Sequence, residues 1–531
     1  MKLISAEAMR EGDRRTIEDL GFPGIVLMEN AGMRITEAVT SISPLPEKVI
    51  VLAGPGNNGG DGLVTARQLN RLGISVSVWC AASPQSYKGD ARVNHDFLEK
   101  KGFPLNYVED ETRLEELQED IKSADLLIDA LLGTGTGRLV EGVIADIIAL
   151  LNAAKAPVLS VDIPSGIDAN TGKVLGIAVK AKWTVTLASL KRGHLLHPGA
   201  EYAGKVTVAD IDIPERAIPS EAMEVITPER VIPLLPRRPL NAHKGTFGRA
   251  LIVAGSPGMS GAALLTGESA LRGGAGLVHL ATARGLRGII EAKTVEIITQ
   301  NLPEDGEGYI TSKAADILLE WAGKCQVLAI GPGLFPGEET YRLLGKLVPE
   351  CPVPMVIDAG GLGALAAAPE LLLKARSPVV ITPHPGEMAR LTGLKMSEVE
   401  EERLDLPARM AQTWRFVVVL KGAPTVVAFP DGSSWVNPTG GPVLASAGTG
   451  DLLTGLITGL ISQGLTAEES SVCGVYLHGL AGDLTAQVNR ETQGMKAGDV
   501  LQRFPAAFQT LLEHKWDSSE FGPFHRQLRH F

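Results

Sequence analysis

Lys48-Val49-Ile50-Val51-Leu52-Ala53-Gly54-Pro55-Gly56-Asn57-Asn58-Gly59-Gly60-Asp61-Gly62 decides how the first half of the chain is read. Lys48–Ala53 is a short, mostly apolar run of strand type, and Leu63–Leu72, beyond the glycines, repeats apolar residues at helical spacing. A strand, a glycine-rich loop and a helix in succession make an anion cradle. Glycines let backbone N–H groups approach a phosphate closely, and the helix N-terminus adds unpaired donors and a favourable dipole. A plain tight turn is also glycine-rich, but two asparagines and an aspartate inside it favour a functional loop.

The same alternation continues outward. Ser75–Cys80, Leu126–Ala130, Pro157–Val161 and Trp183–Leu187 are further strand candidates separated by amphipathic segments, which predicts a parallel sheet. Two more strand ends carry loops of the same kind, Asp129-Ala130-Leu131-Leu132-Gly133-Thr134-Gly135-Thr136-Gly137-Arg138 and Asp162-Ile163-Pro164-Ser165-Gly166-Ile167-Asp168. In an open parallel sheet the C-terminal strand ends share one edge. Convergence there would bring oxygens of Asn58, Asp129 and Ser165 together, a set of hard ligands suited to a monovalent or divalent cation. A single strand-end aspartate more often caps its loop; the joint occurrence weakens that explanation.

The pattern closes near Ile213, and Pro214, Pro219, Pro228, Pro233, Pro236 and Pro239 then interrupt regular structure. The expected organisation is a domain over residues 1–215, a proline-rich linker over 216–243, a second domain over 244–510, and a tail over 511–531 with no assigned role. The second half restarts with strand candidates Arg249–Ala254, Val327–Ile330, Pro354–Ile357, Pro378–Thr382, Phe416–Lys421 and Thr425–Phe429. Gly331-Pro332-Gly333, His384-Pro385-Gly386-Glu387 and Lys421-Gly422-Ala423-Pro424-Thr425 follow such strands. Ala447-Gly448-Thr449-Gly450-Asp451 then opens a helix through Leu452–Leu460. Amides at that helix start would face a phosphoryl group, and Asp451 could take a proton from an attacking hydroxyl or simply cap the helix. Both roles stay open for Asp451 taken alone.

Composition narrows the classes. The 531 residues are 44% apolar, too many for one ordinary core, and both halves read as α/β. A formal charge of −11 without a basic block argues against a nucleic-acid partner. Cys80, Cys325, Cys351 and Cys473 show no metal or disulfide spacing, which fits a reducing compartment. No segment has the apolar length of a membrane span and Met1–Leu20 lacks a signal-peptide core, so a cytoplasmic location without membrane attachment is expected. Leu452–Ile461, the most apolar stretch, suits a buried helix.

GPGNNGGDG, DALLGTGTGR and VDIPSGID together resemble the NAD(P)H-hydrate epimerase family, over roughly residues 1–215. The resemblance implies a Rossmann-like three-layer domain. In it Asn57, Asn58, Gly59, Gly60 and Asp61, with Gly133, Thr134, Gly135, Thr136, Gly137, Arg138 and Leu139, hold the hydrate. It also implies that Asn58, Asp129 and Ser165 bind K+, that Asp162 contacts the reacting ring, and that Lys191 is the family's characteristic lysine; a lone lysine after a strand is otherwise usually a solvated charge. HKGTFG, PHPGE, the LKG strand end and AGTGDLLTG resemble the ADP-dependent NAD(P)H-hydrate dehydratases of the ribokinase-like superfamily, over roughly residues 224–510. That resemblance implies a ribokinase-like α/β domain in which Ala262, Gly333, His384 and Asp451 contact the hydrate. Lys421, Gly422, Ala423, Pro424, Thr425 and Gly450 would contact ADP, with Mg2+ as cofactor.

The implied function is repair of hydrated NADH and NADPH: epimerisation of the R and S hydrates, and ADP-dependent dehydration of the S hydrate with release of AMP and phosphate. Asp162, Lys191 and Asp451 are the expected catalytic residues, and a homo-oligomer is expected. One departure is Asp358-Ala359-Gly360, where the family often carries a second aspartate at the third position. Two other functions remain open: a ribokinase-type kinase, which would accumulate a phosphoester, and a nucleotide-responsive binding protein without turnover.

Overall fold

The computed structural model describes residues 1–108, 110–219, 223–489 and 493–513. The chain divides into two units near Glu221 and Ala222. Most of the tail that was given no role, residues 514–531, lies outside the described residues.

The first unit is built on seven parallel strands: β2 (Lys48–Ala53), β3 (Ser75–Cys80), β4 (Leu105–Tyr107), β5 (Leu126–Ala130), β6 (Val158–Val161), β7 (Trp183–Leu187) and β9 (Lys205–Ala209). Their spatial order is β4-β3-β2-β5-β6-β7-β9. A separate two-stranded pair joins β1 (Leu3–Ile4) to β8 (Leu190–Lys191) in parallel. Central strands β2, β5 and β6 are almost wholly buried, as a sheet covered on both faces requires. Apolar clusters lie on both faces: Val49, Val51 and Leu63 belong to one, and Ile50, Leu52 and Leu127 to the other. Strand order reverses between β2 and β5, which is where an open α/β sheet offers a ligand crevice.

The glycine run differs from the loop expected of it. The helix after β2 spans Asn57–Arg71, so the NNGGDG segment forms its opening turns rather than a loop before it. The glycines chiefly serve close packing. A Cβ on Gly54 would stand 1.9 Å from the Leu131 carbonyl oxygen, and one on Gly59 would stand 1.8 Å from that of Gly54. The helix is thereby pressed against the ends of β2 and β5.

The second unit carries β10 (Met223–Val225), β11 (Arg249–Val253), β12 (Leu277–Ala283), β13 (Ile298–Leu302), β14 (Val327–Ile330), β15 (Met355–Ile357), β16 (Val379–Ile381), β17 (Val417–Leu420), β18 (Thr425–Ala428) and β19 (Ser434–Asn437). The order is β10-β19-β18-β17-β16-β15-β14-β11-β12-β13, parallel except where β18 meets β17 and β19. The direction of winding reverses between β11 and β14. The segment expected to be only a linker supplies the edge strand β10, paired in parallel with β19 through Met223–Ser434 and Val225–Val436. Three residues between prolines are too few to show a strand period, and the pairing partner lies some 200 residues away.

The helix Thr449–Ser462 is buried along nearly its whole length. Gly455 and Gly459 let it lie against the helix Ser260–Arg272; Cβ atoms there would meet the Thr266 and Ala270 carbonyl oxygens at 2.2 and 2.4 Å. No described helix is long and apolar enough to cross a membrane.

Gly59→Ala should destabilise the first unit by about 1–3 kcal/mol, because overpacking against backbone outweighs a helix-propensity gain of at most about 1 kcal/mol. Gly56→Ala, at a position with φ of −89° and open space around it, should stay within about 0.5 kcal/mol of the parent in the same urea titration.

Candidate active sites

At the winding reversal of the first unit the three expected loops meet. Asp129, wholly buried at the end of β5, accepts hydrogen bonds from Ser160 Oγ at 2.7 Å and from Ser165 N and Oγ at 2.9 and 2.5 Å. Asn58 Nδ2 donates to the Leu132 carbonyl at 3.0 Å, and Ser165 Oγ lies 3.2 Å from the same oxygen. Asn58, Asp129 and Ser165 therefore surround one turn, Leu131–Leu132. Burial raises the Asp129 pKa, against the Ser165 and Ser160 hydrogen bonds that lower it, and the donors in those bonds are neutral. Gly133 stacks over Asn58, whereas Gly135, Gly137, Arg138 and Leu139 run outward and are exposed, as is Asn57.

One strand along, Asp162 adopts a positive φ of 64°. This turns its carboxylate back into the sheet edge, where Oδ1 accepts from Leu187 N at 3.0 Å and Thr186 Oγ1 at 3.1 Å. Lys191 donates its ammonium to the same oxygen, to Thr186 Oγ1 and to the Leu187 carbonyl, and its side chain is fully buried. The solvated charge expected of a lone lysine is thus replaced by a buried ion pair, because β8 folds the chain inward beside β1. Burial pushes the Asp162 carboxyl up, but Lys191 and the Leu187 amide outweigh it and hold the pKa below the usual aspartate value. His194, which the sequence did not single out, accepts from Lys191 N through Nδ1 and lies 2.9 Å from the Asp162 carbonyl through Nε2. Burial and the neighbouring Lys191 lower its pKa to about 4, leaving a neutral ring. Asp61, buried inside its helix, is pushed well up by burial and by Asp162.

In the second unit, Ala262 and Gly333 come together at the β11/β14 reversal. Gly333 has φ of 67°, and a Cβ on it would stand 2.9 Å from that of Ala262. Ser256 Oγ ties the loop by donating to the Gly333 carbonyl at 2.7 Å.

His384 caps the helix Pro385–Thr392: Nδ1 accepts from the Gly386 and Glu387 amides, and Glu387 Oε2 accepts from His384 N at 2.8 Å. That box leaves the ring edge half exposed. Lys421, at the end of β17, donates to Asp358 Oδ1 at 2.8 Å and lies 3.8 Å from Glu387 Oε2. Burial works against its charge, but Asp358 and Glu387 raise its pKa above the usual lysine value. A Cβ on Gly450 would stand 3.3 Å from Lys421 Nζ, so the ammonium sits at the first turn of Thr449–Ser462.

Asp451 lies in that turn but makes no cap; the helix has Gly448 at its cap position with no side-chain bond. The capping role left open for Asp451 is not the one observed. Burial, with Asp358 adding repulsion and Lys421 opposing, pushes its pKa up to about 6. Arg403, absent from the sequence argument, is buried behind the Lys421–Thr425 turn and donates to the Lys421 and Pro424 carbonyls. Gly360 also has a physical reason: a Cβ there would stand 2.0 Å from the Leu334 carbonyl oxygen, so no carboxylate fits without moving backbone.

Two families match the chain: the YjeF-related protein N-terminus over residues 24–193, and NAD(P)H-hydrate dehydratase over residues 250–505. The bifunctional NAD(P)H-hydrate repair enzyme of Moorella thermoacetica is 42% identical over 518 residues, covering 97% of this chain and 98% of its own. That of Escherichia coli is 35% identical over 500 residues, covering 93% and 92%. Among solved structures, the ADP/ATP-dependent NAD(P)H-hydrate dehydratase of Bacillus subtilis, co-crystallised with ATP and Mg2+, is 32% identical. It overlaps 54% of this chain and 98% of its own, with a TM-score of 0.47. Identity sustained across both units, over almost the full length of each relative, shows that the chain belongs to the family of bifunctional NAD(P)H-hydrate repair enzymes, joining an epimerase part to a dehydratase part.

Proposed function

We propose that the Asp162–Lys191 pair serves epimerisation of hydrated NADH and NADPH, and that Asp451 is the base for ADP-dependent dehydration of the S hydrate. Full-length likeness to repair enzymes leaves the kinase and the non-catalytic binding protein without support. The observation that carries the proposal is the placement of one lysine–carboxylate pair at the C-terminal strand ends of each sheet, beside a second carboxyl with a raised pKa.

Epimer exchange at C6 passes through a cation stabilised by the ring nitrogen, and the ionised Asp162 can balance that charge. Its Oδ1 is held by Lys191, Thr186 and Leu187, which fixes the carboxylate in place. Asn57–Asp61 and Gly133–Leu139 flank this edge and would hold the hydrate. A buried carboxylate with neutral donors, beside the Leu132 carbonyl and the Asn58 and Ser165 side chains, fits a monovalent cation. Asn58, Asp129 and Ser165 would hold K+, which supplies the charge that offsets Asp129.

In the second unit the hydrate, against Ala262, Gly333 and His384, presents its C6 hydroxyl to Asp451. Asp451 takes the hydroxyl proton as oxygen attacks the β-phosphorus of ADP; the bond to the bridging oxygen breaks and AMP leaves. Phosphate then departs from C6 with loss of the C5 proton, restoring the reduced nicotinamide. Lys421, Gly450 and the Gly422–Thr425 turn supply positive charge and amides to the phosphates. Mg2+, when bound, would add charge neutralisation there. Asp358 pairs with Lys421 Nζ and accepts from Thr454 Oγ1 at 2.7 Å, so the nucleotide's phosphates would supply the main donors to Mg2+ and Asp451 stays free to act as base.

Asp451→Asn should lower kcat for ADP-dependent recovery of reduced-cofactor absorbance by about 100-fold or more while ADP still binds in calorimetry; retained turnover rejects the base. Because the base acts ionised, parental dehydration should fall as pH drops through about 6 and level off above it. Asp162→Ala should abolish R/S exchange, followed by chromatography without ADP. For the cation, parental epimerisation should respond to added K+ against Na+, and Asp129→Asn should lose that response.

A further inference from the structure

A further carboxyl, on the N-terminal helix and within electrostatic reach of the Asp162–Lys191 pair, has no part in that chemistry. The helix Ala6–Arg14 is anchored next to that pair: Ile4 on β1 lies opposite Lys191 on β8, and Ala6 N donates to Asn170 Oδ1 at 2.7 Å. Its buried face carries Ala6, Met9 and Gly12, and Asp13 continues the same stripe one helical turn beyond Met9. Gly12 allows a close approach, since a Cβ there would meet Ile218 Cγ1 at 3.1 Å. Asp13 is half-buried and within electrostatic reach of both Lys191 and Asp162, and it acts in turn on Asp61 from the helix Asn57–Arg71.

The other charged residues of this helix face elsewhere. Glu7 pairs with Arg10, and Glu11 with Arg14 and Arg15. Glu215 and Arg216, on the short turn packed against the helix, line an open surface hollow with Lys2. Asp61, on the neighbouring helix, is only 7% exposed. A buried carboxyl and a half-buried one thus act electrostatically on an ionised third.

Three carboxylates cannot all stay ionised around one ammonium in a desolvated crevice. Asp162 takes the lysine and is held low, Asp61 is pushed far up, and burial with the Asp162 charge moves Asp13 to about 6 despite Lys191. Separation of this kind assigns acid and base roles among neighbouring carboxyls. Asp13 alone combines a midpoint near neutrality with partial access to water, so it can both give up a proton and regain one.

We infer that Asp13 is a further catalytic residue of epimerisation, passing a proton to and from the C6 hydroxyl beside the Asp162–Lys191 pair. Protonated Asp13 gives its proton to the hydroxyl. The C6–O bond breaks with both electrons going to oxygen, water is released, and the N1 lone pair forms the N1=C6 bond of a cation balanced by Asp162. Water then adds to the opposite face of C6, the N1=C6 electrons return to nitrogen, and the surplus proton returns through solvent to Asp13. Substrate and enzyme end with the atoms and charges they began with. This role rests on the Asp162 site being the epimerase site.

The test is R/S exchange in the full chain, without ADP and after subtraction of uncatalysed exchange, between about pH 5 and 8.5. The acid acts protonated, so parental kcat should decline as pH rises through the Asp13 midpoint. Asp13→Asn should cost about 100-fold in kcat and flatten that decline. Asp13→Glu should keep exchange within about tenfold of the parent, with the decline preserved at a shifted midpoint. Full activity in Asp13→Asn, or a lowered rate with an unchanged pH profile, overturns the inference. If Asp13→Asn lowers the melting temperature, the glutamate variant decides, and an unmoved midpoint there overturns it. Asp162→Ala run in parallel separates the two readings: loss only in Asp162→Ala removes Asp13 and leaves the site, while exchange in both variants removes the site as well.

Discussion

Backbone in contact with backbone, at the C-terminal strand ends beside the winding reversal of each sheet, is the constraint on which the rest depends. Gly54 lies against the Leu131 carbonyl and Gly59 against that of Gly54. In the second sheet, a Cβ on Gly331 would stand 1.8 Å from the Asp358 carbonyl oxygen. Such approaches leave no room for a side chain, and they hold the strand ends close enough for Asp129 to reach Ser165 from the adjacent strand and for Asp358 to reach Lys421 across β16. The loops acquire their polar contacts only because the strands below them are locked at this spacing.

Both sites then use the same electrostatic arrangement. A lysine placed just past a strand pairs with an aspartate at another strand end, and burial strengthens that pairing by excluding water. Near each pair a second carboxyl, Asp61 in one unit and Asp451 in the other, is lifted by burial and by the aspartate of the pair, against the pull of its lysine. Arg403 behind the Lys421–Thr425 turn and His194 behind Asp162 hold the backbone that carries these groups.

Much of this was legible in the sequence. Strand ends with polar glycine-rich loops lie close to where the parallel order puts them, because an apolar run bounded by glycine carries both the strand and its direction. Asn58, Asp129 and Ser165 converge as their positions at three such ends imply. The start of the Asn57 helix was hidden because glycines that weaken a helix locally are retained there for packing. Lys191 looked like surface because its burial depends on β1, nearly 190 residues earlier and two residues long. Strand β13, with Thr299, Gln300 and Asn301 on an open edge, has the composition of a loop. Asp13 sits among ordinary helix charges, and only the tertiary fold separates it from Glu11 and Arg14.

Strand β10 alters where the dehydratase part can be cut from the chain. Its three residues cover the outer edge of β19, satisfying backbone groups that would otherwise face outward. A fragment begun at the first lysine of HKGTFG, or even at Arg249, keeps every candidate site residue of the second unit yet exposes Ser434–Asn437 as an unpaired ribbon of backbone donors and acceptors. Such an edge recruits strands from other copies, so the shortest well-behaved fragment is set by hydrogen bonding at Met223–Val225, upstream of most of the prolines that seem to mark a natural break.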